Sequence, residues 1–428
     1  MIRILDCKEL TKEEIFARNE PVSSVEDVVR EIIDNVRKNG DEALYGYAKK
    51  FDKADLKSLI VSEEEMREAD LAVEEEFKEI LRLAAKNITE FHKKQAREGF
   101  RLEKQGVILG QKVTPIDKVA LYVPGGTAVY PSTVLMDAIP AKVAGCREIV
   151  IATPPNAEGK INPYILTAAK IAGVTKIYKM GGAQAIAALS YGTETVEKVE
   201  KIVGPGNAFV AEAKRQVFGK VSIDMIAGPS EILVVADKDN NARHVAADLL
   251  SQAEHDKMAS AVLVTDSMEL ALAVQKELEV QIPLLLRAEI ARASVENNGK
   301  IIVAEDLEEV VEIANEIAPE HLELMVADPF AYLDKIKNAG SVFLGKNCPE
   351  ALGDYLAGPN HTLPTSGTAK FSSPLSVDDF IKKTQYIYYD EPAMRAVADK
   401  VAYFAKKEGL TGHAKSATIR TEERSGKK

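Results

Sequence analysis

The order of hydrophobic and polar residues along the chain predicts an α/β protein in which short apolar strands alternate with helices. Between residues 118 and 203, β-rich runs are separated by helical segments, as in a parallel sheet covered by helices. The alternation then restarts, and five more strands are predicted, at 232–236, 261–265, 300–303, 322–326 and 341–344. We therefore expect two similar parallel-sheet domains of incomplete Rossmann-like type, arranged in series.

Helical patterns dominate the chain before the first of these strands. Ser24 begins a capping-box sequence, and Gly40 is placed to end the helix that follows it. A second helix is predicted over 41–51, and residues 63–98 are predicted to form a long, charged, amphipathic helix.

The strand pattern is lost again after residue 374. A helix is predicted over 394–407, with Gly409 as its C-terminal cap. These changes of pattern suggest the domain boundaries, which are predicted as an N-terminal arm (1–22), a discontinuous α/β domain (23–115 plus 231–373), a second α/β domain (116–230) and a C-terminal helical segment (374–428).

The composition limits the classes of function that fit this chain. Its 428 residues are too many for one ordinary core, and 46% apolar with 28% charged residues is typical of soluble globular proteins. The net charge of −11, with no basic block, argues against a nucleic-acid partner. No signal-peptide pattern and no apolar run of membrane-spanning length is found, so no membrane association and a cytoplasmic location are expected.

Glu320 and His321 form an acid–imidazole pair between two predicted elements. Apolar residues at helical spacing predict a helix over 307–317, and Pro319 disfavours helical backbone at the residue before it. The pair therefore lies on a short loop before a strand, and a loop can aim both side chains at one pocket. Such a pair can transfer protons near neutral pH, although an exposed polar pair is the commoner explanation.

Glycine turns follow three predicted strands of the region 116–230, at 124–126, 181–184 and 204–207. Glycine allows backbone amides to approach a phosphate group at a helix N-terminus. None of the turns is a GxGxxG sequence, so tight turns of a parallel sheet explain them equally well. Two-domain α/β proteins usually bind ligands between the domains, at the carboxyl ends of the strands, and we expect the same here.

A polar pair marks the predicted helix over 246–255. Gln252 and His255 are three residues apart and therefore share one side of that helix, which suits two ligands of one metal ion. Because glutamine is an uncommon metal ligand, a structural polar pair at a helix end stays open as the alternative.

Further ionisable residues occur near the C-terminus. The loop over 353–367 is dense in glycine and proline and supplies Asp354 and His361. His413 follows the predicted C-terminal helix, close to Glu408.

Taken together and in this order, these motifs resemble those of histidinol dehydrogenases. The resemblance extends from the early helices to His413. It is carried by the sequences at 122–126, 182–185, 204–208, 227–231, 252–255, 319–322, 353–367 and 412–413.

The resemblance implies an enzyme of histidine biosynthesis. It would oxidise L-histidinol to L-histidinaldehyde and then to L-histidine, reducing two NAD⁺ in turn. His321 would take the alcohol proton as hydride leaves, and Glu320 would activate water on the aldehyde. One Zn²⁺ per subunit would be held by Gln252, His255, Asp354 and His413.

The resemblance also implies the residues that bind the substrate and the cofactor. NAD contacts would come from Tyr122, Gln184 and Asn207. The resemblance also implies a homodimer in which the C-terminal segment completes the partner's site. The substrate would be bound by Ser230, Gln252, His255, His321, Asp354, His361, Glu408 and His413.

Two other functions remain open from the residues alone. A zinc-dependent hydrolase would use the same metal ligands and the same Glu320 chemistry without NAD. A ligand-binding protein without enzymatic activity would also fit paired α/β domains. Three widely spaced cysteines, Cys7, Cys146 and Cys348, exclude a cysteine-built metal site, and we predict that none of them is a nucleophile.

Overall fold

The computed structural model describes residues 1–8, 11, 15–16, 25–125 and 129–422. It divides into two compact units, a large unit (Met1–Gln95 with Ile116–Phe380) and a small unit (Ala96–Pro115 with Ile381–Lys428). The predicted capping box at Ser24 lies outside the described residues. The domain boundaries drawn from the sequence stay a prediction.

The strands of the described residues, numbered in chain order, are β1 (Arg3–Asp6), β2 (Phe100–Lys104), β3 (Val107–Pro115), β4 (Lys118–Tyr122), β5 (Glu148–Thr153), β6 (Lys176–Lys179), β7 (Lys201–Val203), β8 (Ser222–Ile223), β9 (Glu231–Ala236), β10 (Ser260–Thr265), β11 (Lys300–Val303), β12 (His321–Met325), β13 (Ser341–Leu344) and β14 (Ile381–Tyr389).

The α-helices of the same residues are α1 (Glu26–Tyr47), α2 (Glu63–Ala72), α3 (Glu75–Lys93), α4 (Pro131–Ala144), α5 (Pro163–Ala172), α6 (Gly182–Tyr191), α7 (Ala208–Val217), α8 (Ala242–Ala253), α9 (Met268–Gln281), α10 (Ala288–Asn297), α11 (Leu307–Ile317), α12 (Phe330–Leu333), α13 (Glu350–Tyr355), α14 (Glu391–Lys407) and α15 (Thr411–Thr418). Within the part of the chain that the structure describes, no helix has both the length and the apolar character needed to cross a membrane.

Two parallel sheets form the framework of the large unit, which confirms the predicted fold class. One has six strands in the order β1-β11-β10-β9-β12-β13, and the other has five in the order β6-β5-β4-β7-β8. The five strands predicted after residue 231 are all present, with ends within one residue of the prediction. The sixth, β1, comes from the segment predicted as an arm and pairs with β11.

The helices before the first glycine turn cover the five-stranded sheet. Helix α1 packs on α6, α2 on α5, and α3 on α4. Val29 and Ile33 of α1 are buried in one core with Leu189 of α6. The sequence analysis had grouped these helices with the other α/β domain.

The predicted interruption at Gly40 and the predicted end of the helix before Pro319 are both observed. Gly40 has φ +53° and interrupts α1. Asp306 caps the start of α11, and Ala318 ends that helix with φ +49°, because Pro319 disfavours right-handed helical backbone at the preceding residue. The single helix predicted over 63–98 is wrong: it is broken into α2 and α3 by extended backbone between them.

The small unit contains a sheet that the sequence pattern did not predict. Strand β3 lies between β14 and β2 with antiparallel pairing to both. The prediction that the strand pattern ends after residue 374 is therefore wrong. Most of the β14 side chains are exposed, so no alternation of buried and exposed residues marked it. At Gly110 of β3, a Cβ atom would come within 2.2 Å of the Tyr386 ring, so the sheet requires glycine there.

Candidate active site

Glu320 and His321 lie where the strands of the six-stranded sheet begin, at what we call its amino end. His321 is the first residue of β12, and only 8% of Glu320 and 3% of His321 is exposed. Both bind the backbone of Glu231, the first residue of the adjacent β9. The Glu231 amide donates to Glu320 Oε2 at 2.8 Å, and His321 Nδ1 lies 3.0 Å from the Glu231 carbonyl oxygen. The pair therefore lies at the end of the sheet opposite to the carboxyl end, where ligand binding was expected.

The hydrogen bond to the Glu231 carbonyl fixes how the His321 ring can act. A carbonyl oxygen only accepts, so Nδ1 carries the proton and donates it, which leaves Nε2 as the basic nitrogen. Nε2 is buried and has no hydrogen-bond partner among the described residues. It lies 3.8 Å from Glu350 Oε1 and 3.9 Å from Asp354 Oδ1.

Helix direction explains why distant residues meet at the amino end of this sheet. A helix that connects parallel strands runs back against them, so its C-terminal end lies near the next strand's first residue. Gln252 belongs to the last turn of α8, and its Nε2 lies 3.4 Å from His321 Nδ1. His255 was predicted to belong to that helix, but the helix ends two residues before it. It still interacts electrostatically with Asp354 and His321.

Burial and neighbouring charges set the acid–base properties of this cluster. Burial raises the pKa of Glu320 to about 8. Burial alone would lower the pKa of His321, but the Glu320 and Glu350 carboxylates outweigh it and raise that pKa. Burial opposes ionisation of Asp354 as well, yet the hydrogen bond and charge of His361 lower the pKa of Asp354 to about 2. The cluster therefore combines a carboxyl that holds its proton with one that stays ionised.

The glycine- and proline-rich loop after α13 is ordered by polar contacts with α4. His361 Nδ1 lies 3.5 Å from Asp354 Oδ1, and its Nε2 lies 3.3 Å from Thr133 Oγ1. Asn360 donates to the Met136 carbonyl oxygen at 2.6 Å. These contacts bring His361 beside Asp354, and they connect the two sheets of the large unit at this point.

The donor groups in this cluster fit a divalent metal ion. His321, Glu350 and Asp354 each offer a ligand atom, and these atoms lie within 4.8 Å of one another. Gln252 Oε1 is buried without a hydrogen-bond partner among the described residues. Carboxylate and amide oxygens together with imidazole nitrogens suit Zn²⁺.

A second site lies at the carboxyl end of the five-stranded sheet. A cavity of about 870 Å³ opens there, and Tyr122, Gln184 and Asn207 all line it. The Tyr122 hydroxyl accepts the Gly182 amide at 2.9 Å, where α6 begins. Asn207 caps the first turn of α7. The glycine turns thus form one wall of a cavity of the size that small-molecule ligands occupy.

Three predicted site residues have not yet been placed. Ser230 directly precedes β9, and its carbonyl oxygen accepts the Ser260 amide at 2.9 Å. Glu408 and His413 belong to the small unit, where Glu408 follows α14, His413 lies on α15, and both side chains are exposed. The large unit brings together Gln252, His255, Glu320, His321, Asp354 and His361.

Two residues of this cluster were missed by sequence reasoning. Glu231 binds both catalytic candidates through its backbone, so no side-chain signal could have identified it. Glu350 could have been found, because it lies one helical turn before Asp354 and so shares its face of α13.

Comparison with known proteins identifies the relatives of this chain. The family model described as histidinol dehydrogenase matches residues 17–421. The chain is 57% identical over 395 residues to histidinol dehydrogenase of Geobacillus kaustophilus, covering 92% of this chain and 93% of that one. It is 56% identical over 393 residues to that of Clostridium acetobutylicum, covering 92% and 91%. The crystal structure of histidinol dehydrogenase from Elizabethkingia anophelis superposes with a TM-score of 0.93 at 38% identity, covering 98% of each chain.

Two parallel sheets, a cavity of about 870 Å³ and a buried acid–imidazole cluster define an α/β protein with two candidate sites. The family match and the similar relatives make the assignment specific: the chain belongs to the histidinol dehydrogenase family. It is therefore an NAD-dependent oxidoreductase of histidine biosynthesis that acts on a small molecule.

Proposed function

We propose that this protein oxidises L-histidinol to L-histidinaldehyde and then to L-histidine, with reduction of two NAD⁺ in turn. The observation that carries the proposal is the buried cluster of Glu320, His321 and Asp354, in a chain of this family. We also propose a cytoplasmic location, in keeping with the relatives' biosynthetic role.

His321 is the base of the first oxidation in this proposal. Its Nε2 accepts the alcohol proton as hydride leaves for NAD⁺, while Nδ1 stays bound to the Glu231 carbonyl oxygen. The charge this produces on the ring is stabilised by the ionised Asp354, whose Oδ1 lies 3.9 Å from Nε2. The arrangement supports proton removal without movement of the ring.

Glu320 is the base of the second oxidation. With a pKa of about 8, Glu320 is ionised in a minority of molecules at neutral pH, and that carboxylate is a stronger base than an ordinary one for taking the proton of water as it adds to the aldehyde. Its Oε2 is held by the Glu231 amide, so the group keeps one orientation. Water activated there would add to the aldehyde, and the resulting hydrate would release the second hydride.

Zn²⁺ would be held by Gln252, His255 and Asp354, together with His413 of the partner subunit. When bound, the metal would orient the substrate beside His321. The unpartnered Gln252 oxygen and the ionised Asp354 support this ligand set. The substrate would also contact Ser230, His361 and Glu408.

NAD would occupy the cavity at the carboxyl end of the five-stranded sheet. Tyr122, Gln184 and Asn207, the three proposed contacts, all line it. The positive dipole ends of α6 and α7 favour an anionic group such as the pyrophosphate of a dinucleotide.

A homodimer is supported by the surface of the small unit. Large apolar side chains are exposed there, among them Ile387 at 74%, Tyr403 at 66% and Phe404 at 67%. The buried apolar residues of the small unit, among those that the structure describes, are five alanines, so its large apolar side chains are left for a partner surface to cover. A two-fold axis would make each C-terminal segment complete the other chain's site.

Complementation between two inactive variants tests the shared site. A His413→Ala chain and an Asp354→Asn chain should each be inactive as homodimers. In a mixed dimer one site receives both defects and the other receives neither, so random co-assembly should leave about a quarter of all sites intact. The chains should be co-expressed. Mixed dimers that form but stay inactive would show that His413 acts within its own chain.

The test of the activity itself is the formation of NADH from NAD⁺ and L-histidinol by the purified protein. NADH should appear only when both are present, and L-histidine should accumulate at half the amount of NADH. A zinc-dependent hydrolase, the second candidate on the sequence alone, would produce no NADH under these conditions.

A further inference from the structure

Glu350 is a buried carboxylate to which the proposed function gives no task. Only 2% of it is exposed, and its neighbours donate to both of its carboxylate oxygens. Gln252 Nε2 donates to Oε1, and Ser251 Oγ donates to Oε2 at 2.6 Å. Its own backbone amide donates to Glu323 Oε1 at 2.7 Å. Glu350 is therefore bonded to two consecutive side chains in the last turn of α8.

These contacts determine the orientation of the Gln252 amide. The two ends of a glutamine amide have nearly the same shape, but only the nitrogen donates and only the oxygen accepts. A carboxylate carries no hydrogen and only accepts, so the amide turns its nitrogen toward Glu350, where it donates to Oε1. Gln252 Oε1 then faces away from Glu350, and it is buried with no partner among the described residues.

We propose that Glu350 is a positioning residue that holds the Gln252 amide with its oxygen toward the divalent metal ion. The inference rests on the proposed metal site. Metal ions bind the amide oxygen and not the uncharged amide nitrogen, so a reversed amide would remove a ligand altogether. When a residue that orients a metal ligand in this way is removed, the affinity for the metal typically falls by about 10- to 100-fold.

Direct ligation by Glu350 is the competing role. Its Oε1 belongs to the same group of close donor atoms as His321 and Asp354. Oε1 and Oε2 are, however, both used by the side chains of α8, whereas the Gln252 oxygen has no such partner. Positioning and ligation make opposite predictions when the Gln252 amide is itself replaced by a carboxylate.

Zinc affinity measured without turnover gives the first test. Competition with a chromophoric zinc chelator should show that Glu350→Ala weakens Zn²⁺ binding by about 10- to 100-fold. The matched control is Glu212→Ala in α7, because Glu212 is also buried and accepts a glutamine amide, that of Gln216, at 2.7 Å. This control should bind zinc as the wild type does. Glu350→Gln keeps the side-chain volume and replaces Glu350→Ala if that variant does not fold in the metal-free state.

A second pair of variants separates positioning from ligation. With Gln252 present, Glu350→Gln should weaken zinc binding. In a Gln252→Glu background two carboxylates face each other and neither can donate to the other. Glu350→Gln then supplies an amide donor, so it should strengthen zinc binding. The expected gain is roughly 2- to 150-fold, the range of coupling between residues in contact. A ligand role, or simple attraction between charges, predicts weaker binding in both backgrounds.

The outcomes distinguish this inference from the proposed function. If the wild-type protein bound no zinc, the metal site and the inference with it would be wrong. If the wild type bound zinc and Glu350→Ala bound it equally tightly, the inference alone would fail. It would also fail if Glu350→Gln weakened binding in both backgrounds.

Discussion

The two parallel sheets of the large unit carry their functional groups at opposite ends. The five-stranded sheet has an open cavity of about 870 Å³ at its carboxyl end, formed largely by turns. The six-stranded sheet has a closely packed cluster at its amino end, where Glu320, His321 and Gln252 are all buried. Sheets of one type thus provide two kinds of site, one with room for a large ligand and one with fixed ionisable groups.

The direction of the helices explains this difference. At the carboxyl end of a parallel sheet, helices begin, and their free amides and positive dipole ends favour anionic groups such as phosphates. At the amino end helices finish, and the negative end of the dipole favours cations. Helix α8 ends one residue after Gln252, so the proposed metal ligand lies at such a terminus. Cofactor and metal would therefore occupy ends of opposite polarity.

Removal of the metal should have the largest effect and should act on the amino-end cluster alone. Dialysis against a strong chelator should abolish NADH formation, and added Zn²⁺ should restore it, since Gln252 and Asp354 provide donors for a divalent ion. NAD⁺ binding, measured by calorimetry, should survive the same treatment. Full activity in a protein with no bound metal would refute the metal site.

Substitution of the acid–imidazole pair should produce the next largest effects and divide the two oxidations. Glu320→Gln removes the base for water, so aldehyde oxidation should fall by about 10²- to 10⁴-fold while alcohol oxidation falls much less. His321→Asn should instead slow alcohol oxidation. Each half-reaction can be measured separately, with histidinol or histidinaldehyde as substrate. Equal losses in both half-reactions for both variants would contradict the division of roles.

Tyr122→Phe should have a moderate effect that is confined to the carboxyl-end cavity. The change leaves the Gly182 amide without the hydroxyl that accepts it at 2.9 Å, at a cost of about 1–3 kcal/mol in the free energy of unfolding. NAD⁺ binding should weaken, whereas zinc affinity should not change. Tyr164→Phe is the control, because among the described residues that hydroxyl bonds to the exposed Glu74 alone. A loss of zinc affinity in Tyr122→Phe would show that the two sites are not independent.

Cys348→Ser should have the smallest effect. Cys348 follows β13 at the carboxyl end of the six-stranded sheet, and its amide bonds to the Gly345 carbonyl oxygen at 3.3 Å. Its sequence neighbours are Asn347 and Pro349, so no adjacent histidine promotes thiolate formation. Both oxidations should proceed at about the wild-type rate. A variant that folds normally but loses aldehyde oxidation would mean that the second step passes through a thiohemiacetal.

Patterns within short stretches of sequence predicted much of the fold. Helix α11 begins and ends at the predicted residues, because its cap and Pro319 act on the backbone beside them. The five strands after residue 231 were found because each is an apolar run bounded by turns. The motifs around Gln252, Glu320 and Asp354 likewise indicated the family, since each motif is contiguous.

Only the tertiary structure decided which contacts form between distant segments. Strand β14 was missed because it is stabilised by pairing with β3, more than 250 residues earlier, and its exposed side chains carry no apolar pattern. The location of the Glu320–His321 pair at the amino end follows from how β12 and β9 align in the sheet. Glu350 reaches Gln252 across 98 residues of sequence. Sequence periodicity reports which face of an element is buried, whereas the partner of a buried polar atom depends on the packing of whole elements against one another.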